Sequence, residues 1–369
     1  ACGHIECLNM GEEIYAEVKK QGLLEKNIVL GNALMDMYAK CGMLGKARKV
    51  FDELPKRNVV SWNVLMVRYT QCGLSDEALN CFKQMRDEGI SPNAITFACI
   101  LKACGSIGAL EIGEEIHAEV SERRLLGNDI VLGTALVDMY AKCAQLEKAQ
   151  DVFDKLSARD VASWCALIAG YAQYGFANEA LNCFNKMRGE GFVPDSVTFI
   201  CILKACSSIR SLERGEEIHA EVRKRGLLEQ NIVLGNALVD MYSKCGAIQK
   251  AQEVFDKLPK HDIVSWNSLV AGYAEHGTTD ETLSCFFKMK SAGFSPDAVT
   301  FICLLKVCGS IGYLKMGEAI HTEIHKKGLI KSNIVLGTAL VDMYTKCKVL
   351  DKAQEVFNEL SCRNVLSWN

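Results

Sequence analysis

Apolar residues recur along the whole chain with helical spacing, in short stretches separated by polar or glycine-containing turns. Between residues 59 and 93, Leu65, Met66 and Tyr69 would share one face of a helix. This first helix is predicted to run from about Trp62 to Gln71, because apolar residues three and four positions apart lie on the same side of a helix.

A second helix is predicted after the Cys72-Gly73 turn, since glycine adopts the left-handed conformation that often ends a helix. Ser75 is predicted to cap its start, and Gly89 and Pro92 to end it. The apolar positions keep helical spacing throughout: Ala78, Leu79, Phe82 and Met85. The segment is therefore predicted to be one helical hairpin of 35 residues, 59–93.

The whole chain repeats this plan. The segment Gly31 to Cys41 returns at Gly133, Gly235 and Gly337, every 102 residues, and each period divides into units of 35, 36 and 31 residues. Fixed-period self-similarity is the signature of a solenoid. The predicted units are 1–27 (partial, 36-residue type), 28–58, 59–93, 94–129, 130–160, 161–195, 196–231, 232–262, 263–297, 298–333, 334–364 and the start of another at 365–369. Because both ends fall inside a unit, we expect a fragment of a longer repeat tract.

Composition narrows the function classes. The net charge is −3, so the broad basic surface typical of many nucleic-acid-binding proteins is not expected, and any RNA binding would use locally placed charge. No apolar run reaches the roughly 18 residues needed to span a bilayer, and the N-terminus does not resemble a signal peptide. We expect no membrane association.

Eighteen cysteines are present, and fourteen of them fall in four columns at the 102-residue spacing. They occupy apolar positions of the predicted helices, where free cysteine packs as a small hydrophobe. No C-x-x-C pair or zinc-finger spacing occurs. The thiols are therefore predicted to be free and buried, without a bound metal or cofactor.

These units resemble the pentatricopeptide repeat, and specifically its PLS subclass of plant organellar proteins. The resemblance lies in the segments 60–63 (VSWN), 89–93 (GISPN), 136–143 (LVDMYAKC) and 215–220 (GEEIHA), and in the unit order. The 35-, 36- and 31-residue units correspond to its P, L and S units. The resemblance implies an all-α fold, an α-solenoid superhelix of helix-turn-helix repeats, with single-stranded RNA bound at one base per unit. The tetratricopeptide repeat is a rival with other aromatic positions and a constant 34-residue unit.

In this family the fifth and last residues of a unit read the base. A carboxylate at the last position suits the ring N–H of uracil or guanine, and an Asn amide suits the ring nitrogen of cytosine or adenine; in the family's rule, a fifth residue Asn goes with pyrimidines and Thr with purines. The expected pairs are Asn32/Asn58 and Asn63/Asn93 for C, Thr134/Asp160 for G, Asn236/Asp262 and Asn267/Asp297 for U, Thr338/Asn364 for A, and Cys165/Asp195 for a base left open.

The L units are expected to be spacers, because their fifth residues Ala98, Ile200 and Ile302 are apolar and cannot recognise a base edge. With the N-terminus toward the 5′ end, as in the family, the expected target is 5′-C-C-n-G-n-n-U-U-n-A-3′.

Two further columns have a role in the family. The second residues of P and S units would sandwich the bases, or would simply be apolar packing at a helix start: Val29, Val60, Val131, Ala162, Val233, Val264 and Val335. The S-unit lysines would contact phosphates, or would be solvated side chains near a helix C-terminus, where a cation is favoured: Lys40, Lys142, Lys244 and Lys346.

Full-length PLS proteins often end in a zinc deaminase domain with an H-x-E and a C-x-x-C element. H-x-E occurs at His4, His117, His219 and His321, but without C-x-x-C these residues are expected to be second-helix residues of L units and not catalysts. We therefore expect no enzyme and no small-molecule substrate in this segment.

The resemblance implies the recognition tract of a mitochondrial or chloroplast C-to-U RNA editing factor, with multiple organellar RNA editing factor proteins as partners on the L units. Two alternatives stay open: an organellar RNA stability or splicing factor, and a protein-binding helical scaffold without RNA.

Overall fold

The computed structural model describes residues 2–127, 129–229, 231–330 and 333–360, with side chains from Met10 onward apart from those of Glu25 and Gly127. Regular structure in these residues is entirely helical. The chain forms two compact bodies, residues 1–193 and 194–369.

The first body consists of helical hairpins joined by short turns. Its helices are α1 (Cys2–Lys20), α2 (Leu23–Lys26), α3 (Ile28–Lys40), α4 (Leu44–Glu53), α5 (Val59–Gln71), α6 (Ser75–Asp87), α7 (Ala94–Ile107), α8 (Leu110–Glu122), a 3₁₀ turn (Leu125–Gly127), α9 (Ile130–Lys142), α10 (Leu146–Asp154), α11 (Val161–Gln173) and α12 (Ala177–Gly189). The first helices α3, α5, α7, α9 and α11 pack side by side in chain order.

The second body has the same plan. Its helices are α13 (Ser196–Ser208), α14 (Leu212–Lys224), α15 (Ile232–Lys244), α16 (Ile248–Asp256), α17 (Ile263–His276), α18 (Thr279–Ser291), α19 (Ala298–Ile311), α20 (Leu314–Lys326), α21 (Ile334–Lys346) and α22 (Leu350–Glu359). Here α13, α15, α17, α19 and α21 form the row of first helices, and each second helix packs against the first helix of its own hairpin.

Apolar side chains fill the space between the two rows of helices in each body. Where an S unit meets the next P unit, an edge-to-face aromatic pair recurs with ring centroids 4.6 Å apart: Phe51–Trp62, Phe153–Trp164 and Phe255–Trp266. Edge-to-face geometry is the favoured arrangement of aromatic rings. Because these tryptophans and phenylalanines are buried, each hairpin is stabilised mainly by its neighbours.

Helix starts differ from the sequence prediction. Helix α5 begins at Val59 and not at about Trp62, because Asn58 and Ser61 form a reciprocal capping box that starts the helix one residue after Asn58. Ser75 is not the cap of α6. The backbone of Ser75 is already helical, its side chain is only 3% exposed, and Leu74 stands at the capping position without a side-chain hydrogen bond.

Helix α1 also differs from the partial L unit expected at the N-terminus. In the L unit that starts at Ala94, Gly108 has φ 72° and separates the two helices. The equivalent position, 102 residues earlier, is Glu6, and α1 continues through it without a break. Glycine adopts the left-handed conformation without steric cost, whereas other residues do so only at a cost.

Candidate nucleic-acid interface

In the described part of the chain, the last residue of each P and S unit is the N-cap of the next unit's first helix. Asn58 Oδ1 accepts a hydrogen bond from the Ser61 backbone N–H at 3.0 Å. The same bond to the third helical residue is made by Asn93, Asp160, Asp195, Asp262 and Asp297. Through one oxygen, capping holds each of these side chains at the N-terminal end of a first helix.

Three of the predicted pairs of fifth and last residues lie in direct contact. Asn63 Nδ2 donates to Asn93 Oδ1 at 3.1 Å. Asn236 Nδ2 donates to both carboxylate oxygens of Asp262 at 3.0 and 3.2 Å. Asn267 Nδ2 donates to both oxygens of Asp297 at 3.0 Å. In these units an amide and a capping side chain form one polar cluster near the N-terminal ends of the first helices.

The remaining pairs are arranged differently. Asn32 is buried and its Oδ1 has no hydrogen-bond partner, while Asn58 bonds to Ser61. Thr134 Oγ1 is also buried without a partner. Thr338 Oγ1 donates to the Ile334 carbonyl of its own helix at 2.9 Å.

The last two predicted pairs are Thr338/Asn364 and Cys165/Asp195. Asn364 lies outside the described residues. Cys165 is buried in the first body, and Asp195 caps α13 in the second body.

Aliphatic side chains at the second position are exposed. Val29, Val131 and Val335 are 72%, 69% and 58% exposed, and Val60, Ala162, Val233 and Val264 are also exposed. The alternative that these residues are buried helix-start packing is therefore wrong. The L units continue the series with Ile95, Val197 and Val299, which the sequence analysis did not select. The repeat register alone could have found them, since each is the second residue of its unit.

The S-unit lysines lie at the ends of the first helices, and each pairs with the aspartate four residues earlier. The Nζ–Oδ distances are 2.6 Å for Lys40–Asp36, 2.7 Å for Lys142–Asp138, and 2.8 Å for Lys244–Asp240 and Lys346–Asp342. All four lysines are exposed. Exposed pairs of this spacing contribute only about 0.3–0.5 kcal/mol, so a phosphate could replace the carboxylate at little cost.

The L units present no polar pair. Ala98, Ile200 and Ile302 are half-buried, and the last residues Asp129, Asn231 and Asn333 cap the following S-unit helix. These three caps bond to the backbone N–H of Leu132, Leu234 and Leu336 at 3.0 or 3.1 Å.

The H-x-E histidines of the described side chains lie on second helices of L units, as predicted. His117 Nδ1 contacts the Tyr140 hydroxyl at 2.8 Å, and His219–Tyr242 and His321–Tyr344 repeat the contact at 2.9 Å. Burial lowers the pKa of all three histidines. Across the described residues, no group of His, Cys, Asp or Glu has the arrangement of a metal site.

The described cysteines are free thiols, as predicted, but burial is confirmed for only eight of them; six are half-buried, and Cys72 is exposed. Cys104, Cys206 and Cys308 are free thiols with almost no exposed surface. Burial raises the thiol pKa of Cys104 to about 12 and those of Cys206 and Cys308 to about 11. These thiols are therefore protonated and unreactive at neutral pH.

Helical hairpins of recurring length, each packed mainly against its neighbours, define an α-solenoid repeat protein. Models of the PPR repeat family match residues 57–106, 159–208 and 261–310, and models of the PPR repeat match residues 32–59, 134–161, 236–263 and 338–365. Together these matches cover well over half of the chain. The chain therefore belongs to the pentatricopeptide repeat family.

Relatives of the chain in Arabidopsis thaliana include organellar proteins of that family. A chloroplastic pentatricopeptide repeat-containing protein is 33% identical over 100% of this chain and 59% of its own length. A mitochondrial one is 35% identical over 100% of this chain and 53% of its own length. The chain spans about half the length of these relatives.

A solved structure shares the fold. The pentatricopeptide repeat protein PPR10, in complex with an 18-nucleotide psaJ RNA element, superposes with a TM-score of 0.68 at 20% sequence identity, over 89% of this chain and 49% of PPR10. Over the described residues, no helix is both long and apolar enough to cross a membrane.

Proposed function

We propose that this chain is a sequence-specific single-stranded RNA-binding tract that takes one base per P or S unit. The observation that carries this function is the polar cluster of fifth and last residues, seen in the pairs Asn63/Asn93, Asn236/Asp262 and Asn267/Asp297. Each cluster offers hydrogen-bonding groups to a base edge, and exposed aliphatic side chains at the second positions offer apolar surface to the base faces. The RNA complex of PPR10, which has the same fold, supports this function.

The proposed target is 5′-C-C-n-G-n-n-U-U-n-A-3′, with the L units as spacers. Selection of bound sequences from a random RNA pool tests both parts. We expect enrichment of this order of bases, with no preference at the third, sixth and ninth positions. A pool that returns no enriched sequence would contradict RNA readout and favour the protein-binding scaffold.

For the whole protein we propose target recognition in organellar C-to-U editing, with catalysis supplied outside this chain. The cycle of 35-, 36- and 31-residue units supports this assignment, and chloroplastic and mitochondrial relatives support an organellar location. In plants lacking the protein, we expect one cytidine near the target sequence to lose conversion to uridine. Loss of transcript abundance or of intron removal, with editing intact, would instead indicate a stability or splicing factor.

A further inference from the structure

A buried threonine of the next unit fixes the orientation of the fifth-residue amide in two P units. Thr96 is the third residue of α7 and has no exposed surface. Its hydroxyl donates to Asn63 Oδ1 at 2.7 Å and accepts from the Asn93 backbone N–H at 3.2 Å. Thr300 Oγ1 makes the same contacts with Asn267 Oδ1 at 2.6 Å and with the Asp297 N–H at 3.2 Å.

The threonine contact has a consequence for the other end of the amide. Because the hydroxyl occupies Oδ1, the Nδ2 group of Asn63 is directed toward Asn93. An amide nitrogen has two N–H groups, and the capping side chain takes one of them. With one lone pair of Oδ1 taken by the threonine and the oxygen turned toward it, the second N–H of Nδ2 is the group that the amide offers to a base.

The two described S units with Asn at the fifth position lack this contact because a serine replaces the threonine. Ser265 Oγ donates to the Asp262 carbonyl at 2.8 Å, and Ser61 Oγ bonds to Asn58 Oδ1 at 3.1 Å. The Oδ1 atoms of Asn236 and Asn32 are consequently buried without a partner. An unpartnered buried acceptor costs about 1–3 kcal/mol, so it favours any incoming donor.

We infer that the hydroxyl at the third residue of the following unit determines how stringently the fifth residue reads its base. Threonine holds the P-unit amide as a donor, so a base without the matching acceptor is rejected. Serine leaves the S-unit amide oxygen without a partner, so the same Asn can turn to accept from a base as well as donate to it. This role of Thr96 and Thr300 as positioning residues rests on the proposed RNA binding.

The main test replaces Thr96 by valine, which keeps the branched shape and removes the hydroxyl. Binding is measured for four RNAs that differ only at the second base, the one opposite Asn63. For T96V we expect the ratio between the preferred and the other bases to fall by about tenfold, as for loss of one good base contact. T96S reproduces the arrangement of the S units and is expected to lower the ratio as well.

The chain offers a matched control and a converse variant. T198V removes the equivalent hydroxyl, which bonds to Asp195. The fifth residue of the preceding unit is Cys165, so there is no amide for this hydroxyl to orient. Discrimination at the second base should therefore stay at the wild-type ratio. S265T installs the missing methyl-bearing hydroxyl beside Asn236 and should sharpen discrimination at the seventh base. Melting temperatures of all variants report any general loss of packing.

The outcomes separate this inference from RNA binding itself. If the wild type binds all four RNAs alike, base reading fails and the inference with it. If the wild type discriminates while T96V keeps the same ratio, the threonine does not act on readout and the inference is overturned. Should T96V unfold, S265T decides: an unchanged ratio at the seventh base overturns the inference, and a larger ratio supports it.

Discussion

At the scale of single residues, the last position of each described unit caps a helix and, under the proposed function, that of each P and S unit also reads a base. Capping explains why every described last residue is Asn or Asp, because both side chains accept the bond from the third helical N–H. Capping does not explain the choice between them, since the two cap about equally well. The base preference can therefore change from unit to unit without loss of the helix start.

Asp262 allows the two purposes to be separated. Asp262→Asn keeps the cap of α17, so the free energy of unfolding should change by no more than a few tenths of a kcal/mol. The preferred seventh base should change from U to C, because the ring nitrogen of cytosine needs a donor. Asp262→Ala removes both functions and should cost about 1 kcal/mol of stability. Urea unfolding measures the change in stability, and binding of four RNAs measures the change in base preference. Equal destabilisation by both variants would contradict the expectation that Asp262→Asn keeps the cap.

Thr134 and Asp160 should prefer G at the fourth base. Thr134→Asn keeps the carboxylate and installs the pyrimidine-type fifth residue, so the preference should move from G to U. Adding Asp160→Asn should move it to C. Each mismatch should cost about 1–3 kcal/mol in binding free energy. The measurement is binding of four RNAs that differ at the fourth base, and equal binding of all four by the wild type would rule out readout in this unit.

The contacts between residues of neighbouring units are what the sequence predicted least well. The pairing of Asn63 with Asn93 followed from the family resemblance, whereas the bond from Thr96 to Asn63 joins side chains 33 positions apart and leaves no mark on helical periodicity. Burial of Thr96 depends on the packing of α5 against α7, which only the three-dimensional structure shows.

At the scale of helices, periodicity located the hairpins better than their ends. Ser75 precedes two acidic residues and looks like a cap, yet its buried side chain makes it the first helical residue. The start of α5 was placed three residues late because Val59 and Val60 carry no helix-start signal of their own; the signal is Asn58, which belongs to the preceding unit. Helix α1 has no break at Glu6, whereas Gly108, Arg210 and Gly312 at the equivalent positions are left-handed, so glycine is not required for the break.

The His–Tyr contact between each L-unit second helix and the following S-unit helix should make stability depend on pH. Burial, with nearby lysines, lowers the pKa of His117, His219 and His321 below the ordinary 6.5. The unfolded chain takes up protons first as pH falls, so the stabilisation present above pH 6.5 is lost as pH falls toward the folded pKa. The slope per histidine is at most about 1.4 kcal/mol per pH unit.

Unfolding measured between pH 7.5 and pH 5 checks this dependence. Gln at positions 117, 219 and 321 cannot take up a proton in this range, so the triple variant should lose most of the slope. A slope unchanged by the triple variant would assign the pH dependence to other groups.

The L-unit second helices should be where a partner protein acts, since these units read no base. Arginine at the exposed positions Ala118, Ala220 and Thr322 should abolish the increase in RNA affinity caused by a multiple organellar RNA editing factor protein, and leave unassisted RNA binding unchanged. Arginine at Asn80, Asn182 and Ser284, exposed on P-unit second helices, is the matched control. Titration of labelled RNA with and without the partner measures both; equal loss in both conditions would contradict the division of labour.

At the scale of the whole molecule, RNA affinity should depend on a few placed charges, because the net charge is −3. If Lys40, Lys142, Lys244 and Lys346 each exchange their aspartate for a phosphate, about four counterions are displaced from the RNA. The logarithm of the association constant should then fall against the logarithm of salt concentration with a slope of roughly −3, at about −0.7 per contact.

Two sets of four lysines make this test specific. Changing the first-helix lysines 40, 142, 244 and 346 to Gln should bring the slope close to zero and weaken binding to all RNA sequences alike, since phosphates carry no base identity. Lys46, Lys148, Lys250 and Lys352 recur at the same spacing on the S-unit second helices, where each pairs with a glutamate of the preceding hairpin. Changing these four to Gln alters the net charge equally but should leave the slope near −3. If both sets reduce the slope by the same amount, the effect is one of total charge, and the first-helix lysines are solvated side chains and not phosphate ligands.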